Sequence, residues 1–100
     1  MVLLANSQKV YYQPLQFQLK QNHPNPFNGK TIIGYTIPYQ SNVRIIIRDS
    51  YGRMVERLES KGQDAGLYDI EFDSSNLQEG LYFYQIIADH HTETRSMILL

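Results

Sequence analysis

The chain has 100 residues, the size of one small domain, with a formal net charge of −1 from nine basic and ten acidic side chains. This balance gives no electrostatic sign of nucleic-acid binding, since proteins that bind nucleic acid usually carry a basic face. The longest apolar run, Met1–Ala5, is far shorter than the roughly 20 residues that a membrane-spanning helix needs. Cysteine is absent, so disulfides and thiolate metal sites are excluded as well. Eight tyrosines among twelve aromatic residues favour strands over helices.

The first sixteen residues differ in character from the rest of the chain. Met1–Ala5 lacks a basic segment and is shorter than the roughly 7–15 apolar residues of a signal peptide. The following polar stretch is rich in tyrosine and is interrupted by Pro14. We therefore interpret residues 1–16 as a linker or tether from an upstream domain and residues 17–100 as the folded domain. A chain built in this way is expected to be a module of a larger protein.

From Phe17 onward, apolar and polar residues alternate with a period of two, which is typical of strands. The predicted strands cover residues 17–20, 31–37, 43–48, 54–58, 67–73, 82–86 and 95–100. Between them we predict a loop over residues 61–66 and turns over residues 49–52 and 90–93. With no helical pattern present, the sequence predicts an all-β fold, a seven-stranded antiparallel immunoglobulin/fibronectin-III-like β-sandwich.

Two local features refine this prediction. Pro24 and Pro26 remove two backbone donors, so residues 21–29 are expected to form an extended, polyproline-like crossing that does not pair in a sheet. Tyr82 follows a polar corner around Leu77, which is the expected position of a tyrosine corner. In that motif the phenol hydroxyl donates to an upstream backbone carbonyl.

Candidate metal ligands are sparse and poorly placed. His90 and His91 are neighbours and would point to opposite faces of a strand, so surface histidines are a better interpretation than a metal site, and the same holds for His23. Three acidic residues in or beside loops are the candidates for calcium, but they lack the spacing of a known loop motif. They are Asp64, Asp73 and Asp89.

The sequence also lacks the usual marks of an enzyme. None of its serines lies in a G-x-S-x-G context, and its glycines are scattered among turns rather than gathered in a phosphate-binding loop. Asp69, Glu71 and Asp73 share one face of a predicted strand, where solvated carboxylates are the ordinary expectation. We predict neither catalytic residues nor a cofactor.

Exposed tyrosines offer an alternative function. Four of them lie in the tether or in predicted turns, where they could bind a sugar or pack against the rim of the sandwich. They are Tyr11, Tyr12, Tyr39 and Tyr51. The alternative is therefore a structural or carbohydrate-binding immunoglobulin-like accessory module of a secreted hydrolase.

Five short motifs follow one another between His23 and Leu100. They are H-P-N-P-F at 23–27, V-R-I-I-I-R-D at 43–49 with Y-G-R-M-V at 51–55, A-G-L-Y at 65–68, L-Q-E-G-L-Y-F-Y at 77–84 and S-M-I-L at 96–99. In this order they resemble the C-terminal sorting domain of the type IX (Por) secretion system. The residues matching the family pattern are Pro24, Asn25, Pro26, Phe27, Asp49, Gly52, Arg53, Gly66, Leu77, Gly80 and Tyr82. The implied fold is also similar to the immunoglobulin-like domain of the flagellar hook-cap protein.

This resemblance implies a non-catalytic domain that directs a covalently linked N-terminal cargo through the outer membrane. Its partners would be the type IX translocon and sorting machinery, with no nucleic acid and no transmembrane segment of its own. It would pass through the periplasm and end secreted or at the cell surface.

The resemblance also directs attention to the last predicted strand as the sorting signal. Its residues are Arg95, Ser96, Met97, Ile98, Leu99 and Leu100. An edge strand there would offer unpaired backbone groups to a partner. Two departures from the family pattern are His23, where tyrosine is common, and the ending Leu99-Leu100, where family members commonly end on a lysine or arginine.

Overall fold

The computed structural model describes residues 14–100, which form a sandwich of two antiparallel sheets without a helix. Its strands are β1 Gln18–Leu19, β2 Lys30–Ile37, β3 Ser41–Asp49, β4 Met54–Gln63, β5 Gly66–Asp73, β6 Gly80–Ala88 and β7 His91–Leu99. The smaller sheet has the order β1-β2-β5 and the larger sheet the order β4-β3-β6-β7. The predicted seven-stranded antiparallel β-sandwich is thus confirmed.

The core lies between the two sheets and follows the alternation of the sequence. Residues of β2, β3 and β6 at every second position point inward and are almost completely buried, as a sheet with one solvated face requires. The buried apolar cluster comprises Leu19, Phe27, Ile33, Tyr35, Ile37, Val43, Ile45, Ile47, Phe72, Tyr82, Tyr84, Ile86, Ala88, Met97 and Leu99. Phe27 belongs to this cluster although it lies outside the strands, so the crossing segment helps to fill the core.

The fourth strand is longer than predicted. We expected a strand ending at Leu58 and a loop over residues 61–66, whereas β4 continues to Gln63 and leaves only a short turn before β5. Its register against β3 shifts twice, between Ser41 and Val43 and between Ile47 and Arg48, so β4 contains two bulges. Gly62 has φ +61° within the first shift, where its N–H donates to the side chain of Asn42. Because residues 56–62 of β4 are exposed on both faces, this part of the sequence carries no alternation by which the length of the strand could be predicted.

Three further boundaries differ from the predictions. The turn predicted over residues 90–93 lies at Asp89–His90, where Asp89 adopts φ +51°, and β7 starts four residues earlier than expected, at His91. The first strand is reduced to Gln18–Leu19. The crossing segment forms isolated bridges to two strands, His23 with Ile32 and Phe27 with Leu99, so the prediction that it does not pair in a sheet is wrong at these two positions.

The strands define two ends of the sandwich. At the motif end, β3 ends at Asp49, β6 begins at Gly80 and β7 ends at Leu99. At the opposite end, which we call the N-terminal end, β1 begins and the β2–β3, β4–β5 and β6–β7 turns are located. Of the predicted tether, residues 1–13 lie outside the described residues. Gln16 is attached to β2 because its carbonyl accepts a hydrogen bond from the Thr36 hydroxyl.

Candidate functional site

The structure gathers almost all of the predicted motif residues at the motif end. The β3–β4 turn, the corner before β6, the crossing segment and the end of β7 all meet there. Gly66 is the exception, because it pairs with Ile37 at the N-terminal end. Residues as far apart in the sequence as Asn25 and Ile98 therefore form one continuous region of the fold.

Asp49, Gly52 and Arg53 build the turn between β3 and β4. One carboxylate oxygen of Asp49 accepts the N–H groups of Tyr51 and Arg53 at 2.9 and 3.0 Å, and the other accepts Arg53 Nε at 2.8 Å. Gly52 has φ +85°, a conformation that glycine adopts without strain. Desolvation raises the pKa of Asp49, but these hydrogen bonds and the Arg53 charge outweigh it and hold that pKa below its usual value. The arrangement fixes the shape of the turn.

The corner before β6 confirms the predicted tyrosine corner. The Tyr82 hydroxyl donates to the carbonyl of Gln78 at 2.6 Å. A second corner of the same kind was not predicted: the Tyr68 hydroxyl donates to the carbonyl of Asp64, also at 2.6 Å. The signal was present in the sequence, because both tyrosines stand in a Gly-Leu-Tyr triplet, at residues 66–68 and 80–82. One corner braces each end of the sandwich.

The Pro24–Phe27 segment covers the outer edge of β7. Phe27 N–H donates to the carbonyl of Ile98 at 2.9 Å, and Phe27 C=O accepts from Leu100 N–H at 2.8 Å. The Asn25 side-chain oxygen accepts from Ile98 N–H at 2.9 Å. β7 is an edge strand of its sheet, as expected, but its backbone groups at Ile98 and Leu100 already have partners. The prediction that they are free for a partner strand is wrong at these positions.

Further along β7, side chains join the two sheets. Arg95 Nε donates to the carbonyl of Leu19 at 2.6 Å, and Glu93 Oε1 accepts from Leu19 N–H at 2.8 Å. His91 Nε2 lies 2.7 Å from the second oxygen of Glu93. Desolvation raises the pKa of Glu93, but these hydrogen bonds and the neighbouring positive charges hold it below the ordinary value of 4.5. Hydrogen bonds therefore close the side of the sandwich between β1 and β7.

The predicted sorting residues divide into two groups by orientation. Met97 and Leu99 point inward and are buried in the core. Ile98 points outward, opposite Leu81 of β6, and is 45% exposed, while Leu81 and Phe83 on the same face are 43% and 37% exposed. We call Leu81, Phe83 and Ile98 the apolar patch. It is a cluster of apolar side chains presented at the motif end, next to the exposed Leu100.

A shallow cleft lies beside the apolar patch, between the β3–β4 turn and the corner before β6. Its volume is about 470 Å³, and its lining includes Tyr51, Arg53, Gln78 and Glu79. Tyr51 is 83% exposed, and the Arg53 guanidinium lies 5.2 Å from its ring centre. Tyr39, the other described candidate for sugar binding, packs edge-on against Phe17 at the N-terminal end. The two tyrosines are therefore too far apart to form a shared sugar-binding platform, and Tyr11 and Tyr12 lie outside the described residues.

The candidate metal ligands are separated in space. Asp73 ends β5 at the motif end, whereas Asp64 and Asp89 lie in turns at the N-terminal end. His91 is half-buried, because its ring stacks on Phe17 with centres 4.6 Å apart. His90 and His23 are exposed. Within residues 14–100, no group of three or more histidine and acidic side chains converges as a metal site would require.

Comparison with known proteins gives the fold and the motif end a family context. Fourteen chains of solved structures match, among them the crystal structure of dimeric latent PorU from Porphyromonas gingivalis, with a TM-score of 0.63 at 18% sequence identity. The similarity covers 82% of this chain but only 9% of that chain, and at this identity it establishes the fold. No curated protein matches the sequence. The described residues include no helix long and apolar enough to span a membrane.

A family model gives the more specific result. The model described as "Secretion system C-terminal sorting domain" matches residues 21–100, which include every predicted motif residue. The match begins at the crossing segment and covers β2 to β7. The chain therefore belongs to the family of C-terminal sorting domains, which are signals for type IX secretion.

Proposed function

We propose that the sandwich carries an attached N-terminal cargo to the type IX machinery of the outer membrane by presenting its motif end. The observation that carries this proposal is the position of the motifs. Residue 14 joins the sandwich near the N-terminal end, whereas the family motifs and the apolar patch lie at the other end. A cargo linked through residues 1–13 would leave the motif end accessible to a partner. The cargo would pass through the periplasm and finish secreted or at the cell surface.

We further propose that the partner reads side chains rather than the backbone edge of β7. The backbone groups at Ile98 and Leu100 bond to the Pro24–Phe27 segment, so strand addition there would first have to displace that segment. The apolar patch needs no such rearrangement. Contiguous exposed apolar side chains are typical of surfaces that bind other proteins.

In this proposal the buried motif residues have a supporting role. Phe27, Met97 and Leu99 fill the core below the patch, and Asp49 and Tyr82 fix the turns on either side of it. None of these groups is placed to carry out a chemical step, and sorting domains of this family are in general non-catalytic. The proposed role is recognition, with any processing of the cargo left to the partner.

A reporter fusion tests this function. A fluorescent protein that folds in the periplasm, preceded by a signal peptide for export across the inner membrane, is fused before residue 1 of the full chain. The fusion is expressed in a bacterium with a type IX system and in an isogenic strain whose type IX translocon is inactivated. We expect the reporter in the medium or on the cell surface of the first strain and in the periplasm of the second. Periplasmic retention in both strains would refute the proposal, as would export in both.

A further inference from the structure

The side of the sandwich opposite the closed β1–β7 side is open. It is bordered by β4 and β5, the edge strands of the larger and smaller sheets. Among the described residues, no hydrogen bond joins the outer backbone edge of Glu56–Lys61 in β4 to another element. Leu58 pairs with the buried Ile45 of β3, yet it is 39% exposed because no strand of the smaller sheet covers it fully. Such an edge can accept a further strand.

The two open edges differ in charge. The outward face of β5 carries Asp69, Glu71 and Asp73, so two β5 strands brought edge to edge would oppose like charges. The outward face of β4 carries both signs, because Arg57 and Glu59 lie there with their charged atoms 3.5 Å apart. Of the two edges, β4 alone has a charge pattern that permits pairing with a copy of itself.

The geometry of β4 selects one register for such a pairing. The two bulges leave a regular segment over residues 56–60, whose central residue is Leu58. In an antiparallel pair about a twofold axis at Leu58, each Leu58 meets its copy and each Arg57 faces Glu59 of the other chain. An axis at residue 57 would oppose two arginines, and an axis at residue 59 would oppose two glutamates. The regular segment and the charges therefore favour the same centre.

We propose that β4 is a self-association edge, through which two copies of this chain pair antiparallel about Leu58 and join their larger sheets into one. The occupant is a second copy because the charges of Arg57 and Glu59 are complementary to themselves in that register. The interface is isologous and closes after two copies. It uses neither the apolar patch nor the motif end, so it is independent of the proposed recognition by the secretion machinery.

Sedimentation equilibrium of the full chain at increasing concentration tests the dimer and its charge register. We expect Arg57→Glu to raise the dimer dissociation constant by about tenfold or more, since two attractive cross-strand pairs become repulsive. Arg57→Glu/Glu59→Arg should restore the dimer, because the exchanged charges are again complementary. Lys30→Glu, an equal change of charge on β2 of the other sheet, should leave the dimer unchanged. Circular dichroism confirms that each variant is folded.

Disulfide trapping tests the twofold centre directly, because the chain has no cysteine of its own. Leu58→Cys should form a covalent dimer under mild oxidation faster than Leu67→Cys, although Leu67 is the more exposed residue at 65%. A chain that stays monomeric up to about millimolar concentration, far above the roughly micromolar constants of specific pairs, would overturn the proposal. So would a dimer that Arg57→Glu leaves intact, that the double exchange fails to restore, or that Leu67→Cys traps faster.

Discussion

The Tyr84 hydroxyl connects the larger sheet to the segment that crosses toward the prolines. Tyr84 is completely buried, and its hydroxyl donates to Lys20 C=O at 2.6 Å while accepting from Asn22 N–H at 2.8 Å. Burial raises the pKa of Tyr84, partly offset by the hydrogen bond from Asn22 and the charge of Arg95. Tyr84→Phe removes only the hydroxyl and keeps the ring that fills the core.

The expected cost follows from the burial of the two partners. Asn22 is 3% exposed, so its N–H would be left without a partner away from water, which costs about 1–3 kcal/mol. The Lys20 carbonyl loses its hydrogen bond from the hydroxyl in the same variant. We therefore expect Tyr84→Phe to lower the free energy of unfolding by about 2 kcal/mol and Tm by about 8–16 °C. Urea unfolding followed by circular dichroism measures the change.

The matched control is Tyr51→Phe, which removes a hydroxyl from a side chain that is 83% exposed. The free energy of unfolding of that variant should stay within about 0.5 kcal/mol of the value for the parent chain, as is usual for substitutions on the open surface. If Tyr84→Phe lowers the free energy of unfolding no more than Tyr51→Phe does, the predicted contribution of the Tyr84 hydroxyl is refuted. The crossing segment would then be held by its contacts in the core and not by this hydroxyl.

Three further predictions concern other hydrogen bonds and turns. The pKa of Glu93 is lower in the folded chain than the unfolded value of 4.5, so its contribution to stability is present above about pH 4.5 and is lost as the pH falls through the folded-state pKa. In Glu93→Gln the free energy of unfolding should accordingly fall less steeply as the pH is lowered below 4.5. The same slope against pH in the variant and the parent chain would contradict this. Asn25→Ala should speed amide hydrogen exchange at Ile98 while distant β3 amides stay protected, because the Asn25 side chain accepts the Ile98 N–H. Equal exchange at Ile98 in the parent chain and in Asn25→Ala would contradict a role of this side chain in covering the edge of β7. Gly52→Ala should destabilise the chain by about 1–2 kcal/mol because Gly52 has φ +85°, whereas an unaltered Tm would mean that the turn adapts.

The parts of the fold that the sequence predicts well are those with one buried and one solvated face. In β2, β3 and β6 every second side chain is buried in the core, so the apolar alternation in the sequence predicts where each strand lies. In β4 this relation fails, because Glu59 to Gly62 belong to the strand but are solvated on both faces. The alternation also fails at the start of β7, because its first residues are polar and pack against β1 through side chains instead of through the core.

The candidate site was predictable in its parts but not in its assembly. The residue types around Asp49 and Tyr82 predict turns without reference to the rest of the chain, and both turns have the expected form. The bond between Asn25 and Ile98 joins residues 73 positions apart, and no local pattern indicates it. That contact changes the interpretation of β7. The backbone groups of Ile98 are already hydrogen-bonded, so a partner can reach the outward side chains but not these backbone groups.

The most direct test of the central claim compares charge inserted at the two ends of the sandwich in the reporter fusion. Ile98→Glu places a carboxylate in the apolar patch at the motif end, and Leu67→Glu places one on an even more exposed apolar residue near the N-terminal end. Both variants should fold, which circular dichroism of the purified chains establishes. We predict that Ile98→Glu leaves the reporter in the periplasm and that Leu67→Glu exports it as the parent chain does. Equal export of the two variants would contradict recognition through the motif end.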